Sequence, residues 1–133
     1  MIVMWDQLPG KIPAHYNVRG EVDRWGEKWE LVLLAVIGGF TLGFLQLVEK
    51  FPEMHNYPKR LNESNAAEFY LASRKMVNQL KAFSAVVFSA LIMESATIGL
   101  GWTDGLSGWF LPVALILLIL PIVNGIIKQR KIK

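Results

Sequence analysis

Residues 31–48 read LVLLAVIGGFTLGFLQLV, and this uninterrupted apolar stretch decides the class of the fold. Two similar stretches follow it along the chain. Residues 105–127 contain no charged side chain, and residues 82–103 contain a single one, Glu94. About 20 consecutive apolar residues in a helix are enough to cross the hydrocarbon core of a bilayer. We therefore predict an integral membrane protein.

The composition agrees with this prediction. Of the 133 residues, 53% are hydrophobic and 19% are charged, whereas a soluble domain carries about 25% charged residues. The chain has no cysteine, which excludes a disulfide framework, a thiolate metal site and a cysteine nucleophile. The net charge of +3 does not indicate nucleic acid, because the lysines and arginines lie beside the apolar stretches, as membrane topology requires. We expect no nucleic-acid partner.

The predicted fold is an all-α membrane protein with three transmembrane helices and one membrane domain. Prolines and glycines near the N-terminus favour an ordered loop or short extended pieces there. Asn65 and Glu68 resemble a capping box that begins an amphipathic extension of the second helix. The predicted segments are an external loop (1–30), span one (31–48), a cytoplasmic turn and amphipathic helix (49–81), span two (82–101), span three (109–127) and a basic tail (128–133).

The distribution of cations predicts the orientation. Ten of the 14 lysines and arginines lie between spans one and two or in the C-terminal tail, and four lie in residues 1–30. Cytoplasmic loops of membrane proteins carry the excess of lysine and arginine. We predict a multi-pass protein of the bacterial cell membrane with its N-terminal loop outside and its C-terminus in the cytoplasm.

Two glycines in span one, Gly39 and Gly43, form a GxxxG pattern. Such a pattern lets a second helix approach closely, although glycine is also simply common in membrane helices. Three spans leave much apolar surface in contact with membrane lipid. We therefore expect a homo-oligomer or a complex with another membrane protein.

Glu94 lies within the apolar sequence AVVFSALIMESATIGL. A carboxylate at such a position must be paired, protonated or in contact with a wet cavity. Two interpretations remain open at this point. Glu94 is either a proton, cation or ligand site, or a polar contact between packed helices.

Residues 8–26 read LPGKIPAHYNVRGEVDRWG, which has the form LPxxIPxHxNxxGxxDxWG. This motif resembles the N-terminal signature of a family of bacterial multi-pass membrane proteins of largely unknown function, a domain that also opens the SdpI-like immunity proteins, which act against a secreted toxin. Residues 56–76, NYPKRLNESNAAEFYLASRKM, resemble a segment of many small members. Members usually carry a membrane helix before the loop, whereas seven residues precede the motif here. The resemblance implies a helical membrane fold and, less directly, a role in immunity.

Within this motif, the prolines fix backbone angles and a glycine allows a turn, so polar side chains can be held in place without helix or sheet. Such a loop can bind a peptide, an ion or a partner protein, or its polar groups can bond to its own backbone and close the helix bundle. His15, Glu21 and Asp23 are too few ligands for a structural zinc site, and we expect neither a metal nor a cofactor. The residues predicted to carry recognition are Pro9, Pro13, His15, Asn17, Gly20 and Asp23.

The sequence shows no zinc-protease, nucleophile-elbow or phosphate-loop motif, so we do not expect an enzyme. The leading hypothesis is a membrane protein that recognises a toxin, peptide or partner at its external loop and gives resistance or a signal. The competing hypothesis is a small transporter or transporter subunit that uses Glu94 as its proton or ion site.

Overall fold

A computed structural model describes residues 2–133, with side chains from Trp5 onward, and most of these residues are helical. The helices are α1 (Glu30–Lys50), α2 (Ala66–Gly99) and α3 (Phe110–Lys131). Over the described part of the chain, these three helices are long and apolar enough to cross a membrane. The predicted fold class is confirmed, and the chain is a multi-pass membrane protein.

The N-terminal segment contains a hairpin. A 3₁₀ helix, Ile2–Gln7, precedes two antiparallel strands, β1 (Lys11–Tyr16) and β2 (Val22–Glu27). The sequence left an ordered loop and short extended pieces open, and the structure shows extended pieces that are paired with each other. His15 and Asp23 lie in these strands, so the expectation that the polar side chains of the motif are held without helix or sheet was wrong for them. Pro13 is tolerated within β1 because both strands of a two-stranded sheet are edge strands, where a missing backbone N–H is acceptable.

Contacts within the chain group it into two compact units. Unit 1 comprises Met1–Gly39 and Val86–Ala114, and unit 2 comprises Phe40–Ala85 and Leu115–Lys133. Each of the three helices contributes one part to each unit. The single membrane domain expected from the sequence stays a prediction.

Unit 1 packs the hairpin against parts of all three helices. One buried cluster joins Leu8 and Ile12 of the N-terminal segment to Leu31 of α1. A second cluster joins Ile98 of α2 to Leu106 and Phe110, with Tyr16 and Val22 of the hairpin packed against it. The hairpin is therefore part of the core of this unit.

Unit 2 is held by buried residues at the start of α2. Phe69 is completely buried and makes an edge contact with Tyr57, with ring centroids 5.8 Å apart. α2 begins directly after Asn65, but the predicted capping box is not formed. The side-chain oxygen of Asn65 accepts from Asn62 N at 2.8 Å, and its amide donates to Lys133 O at 3.1 Å. Asn65 therefore fastens the loop before α2 to the end of the chain.

The glycines of α1 do not all have the same surroundings. A Cβ atom on Gly38 would lie 3.1 Å from Phe88 Cγ, so α1 and α2 approach closely at this point. A Cβ atom on Gly39 or Gly43 would meet no described atom within 4 Å. Close packing within the chain thus occurs at Gly38, and a packing role of Gly39 and Gly43 toward a partner helix stays a prediction.

Candidate functional site

The turn of the hairpin is built by two residues of the predicted recognition set. The side-chain oxygen of Asn17 accepts hydrogen bonds from the backbone N–H of Arg19 at 2.8 Å and of Glu21 at 3.1 Å. Gly20 has φ +81°, a left-handed conformation that favours glycine. Asn17 and Gly20 therefore shape the loop, which supports the interpretation that part of the motif bonds to its own backbone.

The turn is attached to the connection between α2 and α3. Leu106 N donates to Gly20 O at 2.8 Å, and Glu21 forms an isolated antiparallel bridge with Gly105. Lower on the hairpin, Ile12 lies against Gly99, where a Cβ atom would be 3.2 Å from the isoleucine side chain. These contacts hold the hairpin in one position on unit 1.

His15 and Asp23 are brought together by the strand register. Irregular pairing around Ala14 and Asp23 places the imidazole Nδ1 2.6 Å from the Asp23 carboxylate. The side chains are 65% and 44% exposed. A polar contact between two side chains with this exposure adds little to stability. Both side chains are therefore accessible to a ligand.

A metal site at this position would need a third ligand. Glu21 instead accepts a hydrogen bond from the Asn17 amide at 2.7 Å. Within the described residues, no three histidine or acidic side chains are grouped to hold a metal ion. His15, Glu21 and Asp23 thus do not form the ligand set that the metal alternative requires.

The two prolines of the motif have different environments. Pro13 is buried in β1, and Pro9 is exposed just before that strand. Pro13 also lines the cavity described below, whereas Pro9 does not. Pro9 therefore restricts the backbone before β1 and does not contact the cavity.

A cavity of about 450 Å³ lies between β1 and the helices of unit 1. This volume is within the range of about 300–1,000 Å³ that small-molecule sites occupy. Its polar lining comes from His15, Tyr16, Asn17, Arg24, Glu30 and Ser95. Its apolar lining comes from Ile12, Pro13, Ala14, Leu31, Leu33, Leu34, Ile37, Leu91, Leu106, Phe110 and Leu111. The cavity is therefore amphipathic.

An ion pair connects the hairpin to the first residue of α1 beside this cavity. Arg24 Nη2 lies 2.8 Å from Glu30 Oε2 and also donates to Ala14 O at 3.3 Å. The hydrogen bond from Arg24 to Glu30 raises the pKa of the guanidinium above its ordinary value. Arg24 consequently remains charged, and its planar group is oriented by two partners.

A second polar link connects the hairpin to α2. The hydroxyl oxygens of Tyr16 and Ser95 lie 2.8 Å apart, and Ser95 is almost completely buried. Burial raises the pKa of Tyr16 above its ordinary value, the Ser95 hydrogen bond acts in the opposite direction, and the Glu94 carboxylate raises it further. The phenol therefore stays neutral at physiological pH.

Glu94 has its own partner in the connection between α2 and α3. Its carboxylate accepts hydrogen bonds from Ser107 N at 3.1 Å and from Ser107 Oγ at 2.6 Å. Glu94 does not line the amphipathic cavity. Of the two interpretations of this residue, the geometry favours the polar packing contact.

Sequence reasoning missed the residues that connect the hairpin to the helices. Arg24 lies in β2 and Glu30 begins α1, so no single helix or strand period relates them, and Tyr16 and Ser95 are 79 residues apart. Ser107 was also missed, although a carboxylate in an apolar stretch indicates that a polar partner must lie nearby. A systematic search for hydroxyls in the adjoining turn would have found Ser107.

Comparison with known proteins identifies the N-terminal region. Residues 1–39 match a family described as "Domain of unknown function (DUF1648)". This DUF1648 match covers the hairpin and the first part of α1. The N-terminal region of this membrane protein is therefore similar to that domain, whose description gives no function.

An archaeal relative extends the comparison. An uncharacterized protein of Archaeoglobus fulgidus is 24% identical over 107 residues, which is 74% of this chain. The chain spans 57% of the length of that relative. No solved structure matches the chain.

Proposed function

We propose that this chain is a non-enzymatic membrane protein that recognises a toxin, a peptide or a partner protein at its hairpin, and that recognition gives resistance or starts a signal. The observation that carries this proposal is the amphipathic cavity beside the hairpin, whose rim holds His15 and Arg24. The resemblance of residues 8–26 to the N-terminal domain of SdpI-like immunity proteins supports a toxin as the ligand.

The cavity suits one apolar group that carries a polar end. Burial of a leucine-sized or phenylalanine-sized group against the cavity wall is worth about 1.5–3 kcal/mol. At the rim, Arg24 can donate to a carbonyl or carboxylate, and the His15 imidazole can accept or donate. A peptide side chain with its backbone meets both requirements.

Transport through Glu94 is the less supported alternative. The carboxylate already accepts two hydrogen bonds from Ser107, and it lies outside the cavity lining. A coupling site needs a carboxylate that can exchange its proton or ion. The contacts of Glu94 instead suit a group that holds the connection between α2 and α3 in place.

The proposal can be tested by challenging cells that express the protein with a panel of secreted peptide toxins. Wild-type protein should raise survival against at least one toxin. Leu34→Trp, which fills the cavity, and Arg24→Ala, which removes its rim cation, should each reduce that protection at least tenfold. His15→Ala should reduce it by a smaller factor, because this side chain is 65% exposed, and Asp23→Ala should do the same because it removes the partner of His15.

Arg19→Ala is the matched control, since this arginine lies in the same hairpin but does not line the cavity. Protection by Arg19→Ala should equal that of the wild type, and membrane levels of all variants should be similar. Full protection by both Leu34→Trp and Arg24→Ala would reject recognition at this cavity.

A further inference from the structure

The two units carry charge of opposite sign. Unit 2 contains ten lysines and arginines and four acidic residues, which give it a net charge of +6. Unit 1 contains four lysines and arginines and seven acidic residues, which give it a net charge of −3. The net charge of +3 for the whole chain conceals this division. Unit 2 is therefore the part of the molecule that attracts anions.

Within unit 2, the acidic residue at the end of α1 is neutralised by its neighbours on α2. Lys81 Nζ lies 2.5 Å from Glu49 Oε2, and the Asn78 amide lies 3.1 Å from the other carboxylate oxygen. The Lys81 and Glu49 side chains are 22% and 15% exposed. Among the described residues, Lys81 is the cation paired with Glu49 within 4 Å, and the charge of Arg74 acts on the same carboxylate through space.

Arg74 and Lys75 are cations of unit 2 that line a cavity beside this pair. Both are exposed, and neither forms an ion pair within 4 Å with any residue that the structure describes. They share one face of α2 with Leu71 and Asn78, at spacings of three and four residues. This face and Glu49 line an open cavity of about 340 Å³.

The position of these cations along α2 matches the headgroup region of a bilayer. Lys81 is the last charged residue before the apolar part of α2, and Arg74 precedes it by seven residues, which is about 10 Å along a helix. The headgroup layer extends about 5–8 Å beyond the hydrocarbon on each side. A flexible arginine or lysine side chain bridges the remaining distance.

We propose that Arg74 and Lys75, on the face of α2 beside the end of α1, bind the headgroup of an anionic phospholipid. The two cations are opposite in charge to the phosphate, and Asn78 and Gln79 line the same cavity with hydrogen-bonding amides. Leu71, which is 51% exposed, offers apolar surface next to the cations. A lipid uses both kinds of surface, whereas a free phosphate ion uses only the cations.

Native mass spectrometry of the full chain in detergent micelles can measure this binding. The protein is titrated with phosphatidylglycerol in the presence of excess phosphatidylcholine. Wild-type protein should retain phosphatidylglycerol in preference to phosphatidylcholine. Each cation near a membrane surface contributes a factor of about five to the binding of anionic lipid. The double variant Arg74→Gln/Lys75→Gln should therefore bind phosphatidylglycerol about 30-fold more weakly.

The double variant Lys59→Gln/Lys128→Gln is the matched control, because it removes the same charge from unit 2 outside this cavity. Its affinity should stay within about threefold of the wild type. Equal losses in both double variants would show a general attraction of charge and overturn the proposal. Displacement of the lipid by millimolar inorganic phosphate would overturn it in favour of a soluble anion.

Both substituted side chains are exposed, so the variants are expected to fold, and the circular dichroism of the helices checks this. The single variants Arg74→Gln and Lys75→Gln should each weaken the binding of phosphatidylglycerol about fivefold. If the double variant does not fold, the two single variants test the binding of phosphatidylglycerol without it. Unchanged binding in both single variants would overturn the proposal.

Discussion

At Glu94, a carboxylate in an apolar stretch is satisfied by one residue, Ser107, through its backbone N–H and its hydroxyl. Polar contacts in membrane proteins are worth about 0.6 kcal/mol on average and at most about 1.7 kcal/mol. We predict that Glu94→Leu lowers the free energy of unfolding by about 2 kcal/mol, since both contacts are lost. Glu94→Gln should cost less than about 1 kcal/mol, because its amide can still bond to Ser107. Reversible unfolding of the protein in detergent measures both.

Ser89→Leu is the control for this prediction, because Ser89 is an exposed hydroxyl residue on the same helix. It should leave stability unchanged. The packing role would be contradicted if Glu94→Leu were as stable as the wild type. It would also be contradicted if Glu94→Gln kept full stability but abolished an ion flux in vesicles, which is the result that a transporter predicts.

The sequence predicts that Glu94 has a polar partner but does not identify that partner. A lone carboxylate among apolar residues predicts that a partner exists, because the desolvation cost must be offset. The identity of the partner depends on how the connection between α2 and α3 folds back, which local spacing does not encode. The sequence thus located the unusual residue and left its two roles open.

For the hairpin as an element, the prolines and glycines predicted either an ordered loop or short extended pieces, and the structure shows extended pieces paired as β1 and β2. The register was not predictable, because irregular pairing around Ala14 and Asp23 interrupts the alternation of the strands. The position of the hairpin was not predictable either, because it depends on contacts with Gly99 and Leu106, which are distant in sequence.

The link between the hairpin and α2 should depend on pH through Tyr16. The pKa of Tyr16 is raised in the folded protein, chiefly by burial. The neutral phenol therefore makes its full contribution to stability below about pH 10, which is the ordinary pKa of tyrosine. This contribution is lost as the pH rises through the raised pKa. We predict that Tyr16→Phe costs about 1 kcal/mol at pH 7, and that the difference between wild type and variant becomes smaller as the pH rises from about 10 through the raised pKa.

Tryptophan fluorescence during denaturant unfolding at pH 7 to 11.5 measures this difference, since all five tryptophans belong to unit 1. Tyr57→Phe is the control. Burial also raises the pKa of Tyr57, but this residue lies in unit 2. Removal of its hydroxyl should therefore leave the unfolding of the hairpin unchanged. A difference between wild type and Tyr16→Phe that stays constant over the whole pH range would contradict the assignment to Tyr16.

For the molecule as a whole, the fold class was readable because three apolar stretches of sufficient length are enough to predict three helices in a membrane. The ends of the helices were less predictable, since α1 and α3 continue into charged residues at their ends. The grouping of residues into two units could not be predicted, because it results from contacts between segments far apart in sequence.

The orientation can be tested with single cysteines, because the chain has none of its own. Three positions are suited to labelling. Val18 is 94% exposed in the hairpin turn, Thr103 lies in the connection between α2 and α3, and Lys59 lies between α1 and α2. Each is replaced by cysteine in a separate variant. The excess of lysine and arginine between α1 and α2 predicts that this connection is cytoplasmic. A membrane-impermeant maleimide should label Val18→Cys and Thr103→Cys in intact spheroplasts, and Lys59→Cys only after permeabilisation.

The pattern of labelling separates the ways in which this topology can be wrong. The opposite pattern would place the hairpin and its cavity in the cytoplasm, and a secreted toxin could then not reach the cavity from outside. Labelling of Val18→Cys and Lys59→Cys from the same side would mean that α1 does not span the membrane, although its length and composition allow it. Labelling of Val18→Cys and Thr103→Cys from different sides would contradict the backbone hydrogen bond between Gly20 and Leu106, which requires the hairpin turn and this connection to lie on one side.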